Sequence, residues 1–377
     1  MSGSPAWPSV ALSLLDATAQ QQHTAQEIRA RLGAWPSATQ AWRIKFSTSL
    51  GDAEELGAGV LLLVLDTPAA SDQLAQWLAT GASVLVMVGH SATLYWSGAC
   101  YRLSGQPAHD WLAAWAAFLD CGFAPHDALC LAWAWRPPTA VGMAEDWPFD
   151  LASMPRVLDV PQSAADAPAF PPCPSKIGLY PVVPDAQWVE RLLDLGVTTI
   201  QLRIKGDLES AQVAREIRRA VAAGAAHQAH VFINDHWQLA LEAGAYGVHL
   251  GQEDLQLADL NAIARAGVRL GLSTHGIYEM LLAWHFRPSY LAFGAVFPTQ
   301  TKLVATDPQG LVRLAHFVDL FAAHVSTVAI GGIDQARLPQ VLATGVGGVA
   351  VVSAVTGARD VPAAVRALMQ AFVPDRS

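Results

Sequence analysis

The chain has 377 residues, a length that predicts about two to three domains and a substantial core. Hydrophobic residues make up 52% of the chain and charged residues 15%, which excludes an intrinsically disordered protein. The formal net charge of −9 argues against nucleic acid or an anionic membrane surface as a partner. No uninterrupted apolar run reaches the roughly 18–20 residues of a membrane span.

The start of the chain and the cysteines indicate a cellular location. The segment MSGSPAWPSV has no positive region followed by an apolar one, so we expect no signal peptide. The four cysteines form no CxxC pair and have no metal-ligand spacing; they are Cys100, Cys121, Cys130 and Cys173. Buried or incidental thiols in a cytoplasmic protein are the expected account.

A proline-rich segment, residues 154–175, divides the chain. It contains six prolines, which are incompatible with helix interiors and central strands, so we interpret it as a linker. Ten of the thirteen tryptophans precede it. The sequence therefore predicts a smaller α/β domain over residues 1–153 and a second domain over residues 176–377.

After the linker, short β-branched runs alternate with amphipathic helical patterns. The runs are IGLYPVV, TTIQLRI, HVFIN, GVHLG, RLGLS, YLAFGAVF, TVAIGG and GVAVVS. Eight strands alternating with helices in about 200 residues predict a (β/α)8 TIM barrel. An open doubly wound sheet is the alternative, but the glycine-rich phosphate turn expected after its first strand is absent.

In such a barrel the site is built from the loops that follow the strands, so the residues at the strand ends are informative. The second strand ends QLRIK, where Gln201, Arg203 and Lys205 alternate and share one face. Helices cover the outer face, which must be apolar, so these side chains are expected to point into the barrel mouth. A solvated charged strand end is the competing interpretation.

The next two strands end in carboxylates. Asn234 and Asp235 close the third strand, and Gln252, Glu253 and Asp254 follow the fourth. Carboxylates without a converging cysteine or histidine suit a hard cation such as Mg2+, completed by water and substrate phosphate. His249, inside the fourth strand, is better explained as a packed, hydrogen-bonded residue than as a ligand, and His236 as a residue of a loop or helix face.

The fifth strand ends GLSTH, where Ser273 is a candidate helix N-cap or ligand contact and His275 is close by. The last three strands end in groups suited to anions. The sixth is followed by a compact set of donors, Thr299, Thr301 and Lys302, for which a turn without function is the alternative. Gly331 and Gly332 let backbone N–H groups approach a ligand closely. The loops after the last two strands form the usual phosphate site of this barrel, which Gly332, Val352 and Ser353 would line.

Taken together, QLRIK, FINDHWQLALEAGAYGVHLGQED, GLSTH, FGAVFPTQTK, AIGGI and GVAVVS resemble the thiamine phosphate synthase family. The resemblance covers about 200 residues, from Lys176 onward, with the motifs in the family's order. It implies Mg2+-dependent coupling of 4-amino-2-methyl-5-pyrimidinylmethyl diphosphate to a thiazole phosphate, with small molecules as the partners and a homo-oligomer as a possibility.

The resemblance also implies roles for individual residues. Asp235 and Asp254 match metal ligands, and the cations Arg203, Lys205 and Lys302 match catalytic, diphosphate-binding positions. The remaining matches are substrate-binding: Gln201, Asn234 and Ser273 on the pyrimidine side, and Thr299, Thr301, Gly332, Val352 and Ser353 on the thiazole phosphate side. A thiazole tautomerase of the same barrel family and a non-catalytic thiamine-precursor-binding module are the alternatives; both carboxylates and Lys302 favour the synthase.

The N-terminal segment resembles part of another family. ASVLVMVGHSATLYWSGACYRLSG followed by WLAAWAAFLDCGFAPHDALCLAWAW is similar to the C-terminal half of the ribokinase-like hydroxymethylpyrimidine phosphate kinases. Where that family has a glycine-rich anion hole, this chain has QPAHD, residues 106–110. The resemblance therefore implies a degenerate remnant that serves packing, dimerisation or regulation, with Asp110 as a weak candidate catalyst.

Overall fold

The computed structural model describes residues 13–14, 18–33, 35, 41–46, 56–65, 71–137, 147–148, 150–160, 169–205, 209–299 and 307–373. The chain divides into two compact units, residues 1–159 and 160–377. No helix within these described ranges combines the length and apolarity needed to cross a membrane.

The first unit contains a mixed sheet. Its strands, in spatial order, are β1 (Ser13–Leu14), β2 (Arg43–Phe46), β3 (Val60–Leu65), β4 (Ser83–Val88), β5 (Ser91–Trp96), β6 (Ala99–Ser104) and β7 (Arg156–Val157). Strands β1 to β4 pair in parallel, whereas β5, β6 and β7 join as antiparallel neighbours. The strand β7 comes from the beginning of the predicted linker, so that part of the linker belongs to this sheet.

Two of the four helices described in the first unit are unusually apolar and buried, the third and the fourth. The helices of this unit are α1 (Ala19–Arg31), α2 (Ser71–Ala79), α3 (Trp111–Asp120) and α4 (Pro125–Ala134). Every residue of α4 is buried, as are the eight residues from Leu112 to Leu119 in α3. A helix that is apolar on all sides must be surrounded by protein, which accounts for the tryptophan-rich composition of this half. Asp110, the residue before α3, contacts the Nδ1 atom of His109 at 2.8 Å.

The second unit is a closed barrel of eight parallel strands, as predicted. The strands are β8 (Gly178–Val183), β9 (Thr199–Leu202), β10 (His230–Asn234), β11 (Gly247–Leu250), β12 (Arg269–Thr274), β13 (Tyr290–Phe293), β14 (Ser326–Ile330) and β15 (Gly348–Val351). Closure is made by β15 and β8, with Val351 opposite Pro181. All eight carboxyl ends therefore meet at one mouth.

Helices α5 to α13 follow the strands of the barrel. They are α5 (Ala186–Asp194), α6 (Ser210–Ala226), α7 (Trp237–Ala243), α8 (Leu260–Arg265), α9 (Ile277–His285), α10 (Gly310–Phe321), α11 (Leu338–Leu342), α12 (Ser353–Thr356) and α13 (Val361–Gln370). In α5 the Asp185 side chain caps the helix by accepting from the Trp188 amide at 2.8 Å. The buried residues of α5 include Val189, Leu192 and Leu193, whose spacing places an apolar stripe on the helix face that packs against the strands.

The segment before β8 crosses the opposite, amino-terminal end of the barrel. Arg269 Nε donates to the Pro172 carbonyl at 3.0 Å, and Ser326 Oγ lies 3.1 Å from both the Cys173 and the Pro174 carbonyl oxygens, so its single hydrogen can be donated to either. Arg269 and Ser326 each begin a strand, which places residues 172–174 across the strand starts. This part of the predicted linker is bound to the barrel.

Large rings fill the barrel interior because small residues leave room for them. Tyr180, Phe232 and Tyr290 belong to one buried cluster with Val182 and neighbouring aliphatic residues. A Cβ atom at Gly271 would collide with the Tyr290 ring, and one at Gly247 would collide with Phe232. The two glycines are therefore needed for close packing and not for an unusual turn.

We predict that Gly271→Ala destabilises the barrel by about 1–3 kcal/mol, because the added methyl overpacks the interior and displaces Tyr290. Thermal unfolding should show a lower Tm for the barrel transition. The same substitution at Gly57, where the nearest atom to a Cβ lies at 3.9 Å, is the control and should change Tm little. Equal Tm values for wild type and Gly271→Ala would contradict the packing argument.

Candidate active site

A cavity of about 560 Å³ opens at the carboxyl ends of the barrel strands. It lies where the barrel fold places functional sites. Ten of the residues selected from the sequence line it: Gln201, Arg203, Asn234, Asp235, Asp254, Ser273, Thr299, Gly332, Val352 and Ser353. Strand ends that are far apart in sequence thus contribute to a single chamber.

Two carboxylates meet on one side of this cavity. Asp235 and Asp254 are close enough for their carboxyl groups to share a hydrogen bond. Burial, and then the charge of Asp254, raises the pKa of the Asp235 carboxyl, while Arg203 opposes the shift. The Asp235 residue is exposed to the open cavity, but the cavity walls still remove part of the water around its carboxyl group. The pair is a concentration of negative charge that a cation would relieve.

The backbone holds both carboxylates in place. Asp235 has a φ of +61°, a left-handed conformation that Asp and Asn tolerate better than most residues. Its amide donates to the His249 carbonyl at 3.0 Å, which ties the end of β10 to β11. The Asp254 Oδ2 atom accepts from the Gly251 amide at 2.9 Å, which turns the loop back toward the strand end. Uncommon backbone geometry of this kind is concentrated at functional sites.

Arg203 is the cation that the structure places beside the carboxylates. Its amide donates to the Val183 carbonyl at 2.8 Å, which continues the β8–β9 pairing beyond the end of β9. Burial lowers the pKa of its guanidinium, and the nearby Asp235 opposes that shift. An arginine remains charged under these conditions, so the cavity wall carries a fixed positive charge next to two acids.

The other two predicted cations are placed differently. Lys205 is exposed and does not line the cavity, although it was expected to share the inward face with Gln201 and Arg203. The alternation of a strand no longer holds there, because β9 ends at Leu202. Lys302 and Thr301 lie outside the described residues.

The opposite side of the cavity is built from the last loops. Gly331 and Gly332 have φ values of +106° and +63°, and a Cβ at Gly332 would lie 2.6 Å from the Pro298 carbonyl oxygen. The glycines thus allow the loop after β14 to pack against the loop after β13, and Gly332 also faces the cavity. Ser353 begins the short helix α12 directly after β15.

A hydrogen-bond chain through the barrel interior was not predicted. The side-chain Nε2 of Gln201 donates to Tyr180 Oη at 3.2 Å, and the hydroxyl oxygens of Tyr180 and Tyr290 are 2.9 Å apart. Tyr290 Oη lies 2.6 Å from His249 Nδ1, and His249 Nε2 lies 2.8 Å from Ser273 Oγ. His249 is therefore a packed, hydrogen-bonded residue, as its position within a strand predicted. Tyrosines in otherwise apolar strands are the one available signal, because a buried hydroxyl needs a partner.

Four further polar residues in the lining were not assigned site roles from the sequence: Gln252, Glu253, His275 and Glu279. Gln252 Nε2 donates to the Ser273 carbonyl at 2.6 Å, and His275 Nδ1 lies 2.8 Å from Glu279 Oε2. By contrast, His236 stands before α7 and is not among the lining residues.

Similarity to known proteins agrees with this geometry. The family model described as thiamine monophosphate synthase matches residues 179–355. A thiamine-phosphate synthase of Shigella sonnei (strain Ss046) is 58% identical over 193 residues, which are 51% of this chain and 90% of the relative. One of Escherichia coli (strain SE11) matches with the same identity and coverage.

A solved structure is also similar. The thiamine phosphate pyrophosphorylase from Pyrococcus furiosus is 33% identical, with a TM-score of 0.47 and coverage of 52% of this chain and 96% of that one. The curated relatives are matched over nearly their whole length at more than half identity. The chain therefore belongs to the thiamine-phosphate synthase family.

Proposed function

We propose that the barrel couples 4-amino-2-methyl-5-pyrimidinylmethyl diphosphate to a thiazole phosphate, giving thiamine phosphate and diphosphate in thiamine biosynthesis. The observation that carries this proposal is the distribution of charge in one cavity. Asp235, Asp254 and Arg203 stand on one side, and the turns at Gly332 and Ser353 stand on the other. Two substrates that each carry phosphate would use both sides.

Asp235 and Asp254 are proposed to hold Mg2+. Two adjoining carboxylates, one with a raised pKa, fit a site that a divalent cation completes. Within the described part of the chain, no group of three or more histidine, cysteine or acidic residues could hold a metal, so water and diphosphate oxygens would supply the other ligands. When bound, Mg2+ would neutralise charge on the diphosphate.

Arg203 is proposed to stabilise the departing diphosphate. The C–O bond of the pyrimidinylmethyl group breaks and the diphosphate leaves with the electron pair, so negative charge grows next to the guanidinium. The electron-rich aminopyrimidine carries the resulting positive charge. The thiazole nitrogen then forms the new C–N bond at the methylene carbon. This sequence requires no protein nucleophile, and none was identified from the sequence.

The thiazole phosphate is proposed to bind on the side formed by the last loops. Gly332 offers backbone close to the cavity, and Thr299 and Ser353 offer hydroxyl groups from neighbouring loops. Backbone amides and hydroxyls at strand ends are the usual phosphate partners of this fold. The acceptor nitrogen would then lie between this side and the pyrimidine.

A coupling assay, in which thiamine phosphate is detected by oxidation to fluorescent thiochrome, tests the proposed function. Full-length protein with both substrates and Mg2+ should form product, whereas EDTA treatment and Asp254→Ala should abolish it because the diphosphate charge is no longer neutralised. Asp360→Asn is the matched control, since Asp360 only caps α13 and asparagine caps equally well. Product formation that survives both EDTA and Asp254→Ala would contradict the metal role.

Stability and activity should respond oppositely to the loss of the Asp235 charge. Its folded-state pKa is raised, so ionisation costs folding free energy as pH rises through the folded pKa, and this cost is absent at low pH. Asp235→Asn should therefore raise Tm of the ligand-free barrel at pH 7 and lose that advantage in acid, while coupling is lost. Asparagine also tolerates the φ of +61°. A lower Tm at neutral pH would show that burial and the charge of Asp254 do not destabilise the ionised Asp235 carboxyl in the folded protein.

The proposed role of Arg203 can be tested by steady-state kinetics. Arg203→Gln should lower kcat by roughly 10²–10³-fold, the usual cost of removing one preorganised charge-stabilising group. The KM for thiazole phosphate should be nearly unchanged because that substrate binds on the other side. Arg219→Gln, which breaks a surface ion pair with Glu190 on neighbouring α5, is the control and should retain activity. Equal kcat values for the two variants would rule out the assigned role.

A further inference from the structure

The interior hydrogen-bond chain ends at the active-site cavity. Gln201 and Ser273 line the cavity, while Tyr180 and Tyr290, between them, are at most 1% exposed. Burial raises the pKa of both phenols, so each keeps its single hydroxyl hydrogen. A chain of neutral groups, each with a limited number of hydrogens, restricts the direction in which those hydrogens can point.

The direction follows from the first link. Gln201 presents its NH2 group to Tyr180, so the Tyr180 oxygen accepts there and its own hydrogen must go to Tyr290. Tyr290 then donates to His249 Nδ1, and the neutral imidazole carries its hydrogen on Nε2. That hydrogen is donated to Ser273 Oγ, which leaves the serine hydrogen free to point elsewhere.

The reverse direction is costly. If Tyr290 donated to Tyr180, the buried Tyr180 hydrogen would find no acceptor among the described residues, and an orphaned buried donor is expensive. A doubly protonated His249 ring would have the same consequence. Its Nδ1–H group would donate to Tyr290, so Tyr290 would have to donate to Tyr180 and the Tyr180 hydrogen would again lack an acceptor among the described residues. The Ser273 backbone is fixed independently, since its carbonyl accepts from Gln252 at 2.6 Å. The remaining freedom of Ser273 lies in its hydroxyl group.

We infer that Tyr290 and His249 are positioning residues that make the Ser273 hydroxyl a hydrogen-bond donor toward a ring nitrogen of the pyrimidine substrate. This inference rests on the proposed function for the identity of the substrate. A donor to a ring nitrogen stabilises the bound ring without favouring positive charge on it. The chain therefore serves substrate affinity and selection of the correct ring, and not the bond-breaking step.

The test is a double-mutant cycle in the full-length protein. Tyr290→Phe, which removes one hydroxyl, should raise the KM for the pyrimidine diphosphate roughly 3- to 10-fold without lowering kcat. In a Ser273→Ala background it should add no further increase, because its effect passes through Ser273. Tyr246→Phe is the control: its ring stacks on His230 and under Arg269 at the other end of the barrel, and its kinetics should match wild type.

Two kinetic outcomes would overturn the inference. One is additive effects of Tyr290→Phe and Ser273→Ala. The other is a Tyr290→Phe enzyme that keeps the wild-type KM, or that lowers kcat and Tm together as a purely structural change would.

A second readout needs no substrate. The 15N NMR shifts of the His249 ring, identified by their loss in His249→Gln, should report hydrogen on Nε2 alone in wild type and a mixture of tautomers in Tyr290→Phe. Hydrogen on Nδ1 in wild type, which an inverted Gln201 amide would produce, overturns the inference. Wild-type protein that makes no thiamine phosphate would contradict the proposed function instead, and the tautomer would still be decided.

Discussion

Closure of the barrel by the pairing of β15 with β8 is the constraint on which the site depends. Because all eight strands are parallel and the sheet has no free edge, every strand end must open into the same mouth. Residues as distant in sequence as Gln201 and Ser353 line the same cavity for this reason. The chain has no need of a long catalytic motif, since each strand contributes one or two polar groups where it ends.

The same convergence concentrates unfavourable interactions at the mouth. Asp235 and Asp254 repel one another, Asp235 occupies a left-handed backbone conformation, and the loop after β14 needs glycine at positions 331 and 332 to pass its neighbour. None of these features favours the ligand-free fold. They are tolerated because the strands beneath are held by continuous pairing and a dense apolar interior.

Hydrogen-bonded side chains inside the barrel connect the active-site cavity to the buried interior. Tyr180 and Tyr290 pack as rings against Phe232, yet their hydroxyls join Gln201 to Ser273 through His249. Glycine at position 271 makes the room that the Tyr290 ring requires. Packing and hydrogen bonding therefore depend on the same two tyrosine side chains. A substitution of either tyrosine in the barrel interior should change the hydrogen bonding of Ser273 at the cavity.

The sequence alone determined the barrel and ten residues of the lining, because strand alternation and the polar residue after each strand are local properties that a parallel barrel maps onto one face. It did not determine that Lys205 lies outside the cavity, since that depends on where β9 stops pairing. It also did not reveal the linkage of Tyr180, Tyr290 and His249, which stand on three different strands. Only the tertiary structure decides which buried hydroxyls meet, because such partners are chosen by barrel register and ring packing and leave no periodic pattern in the chain.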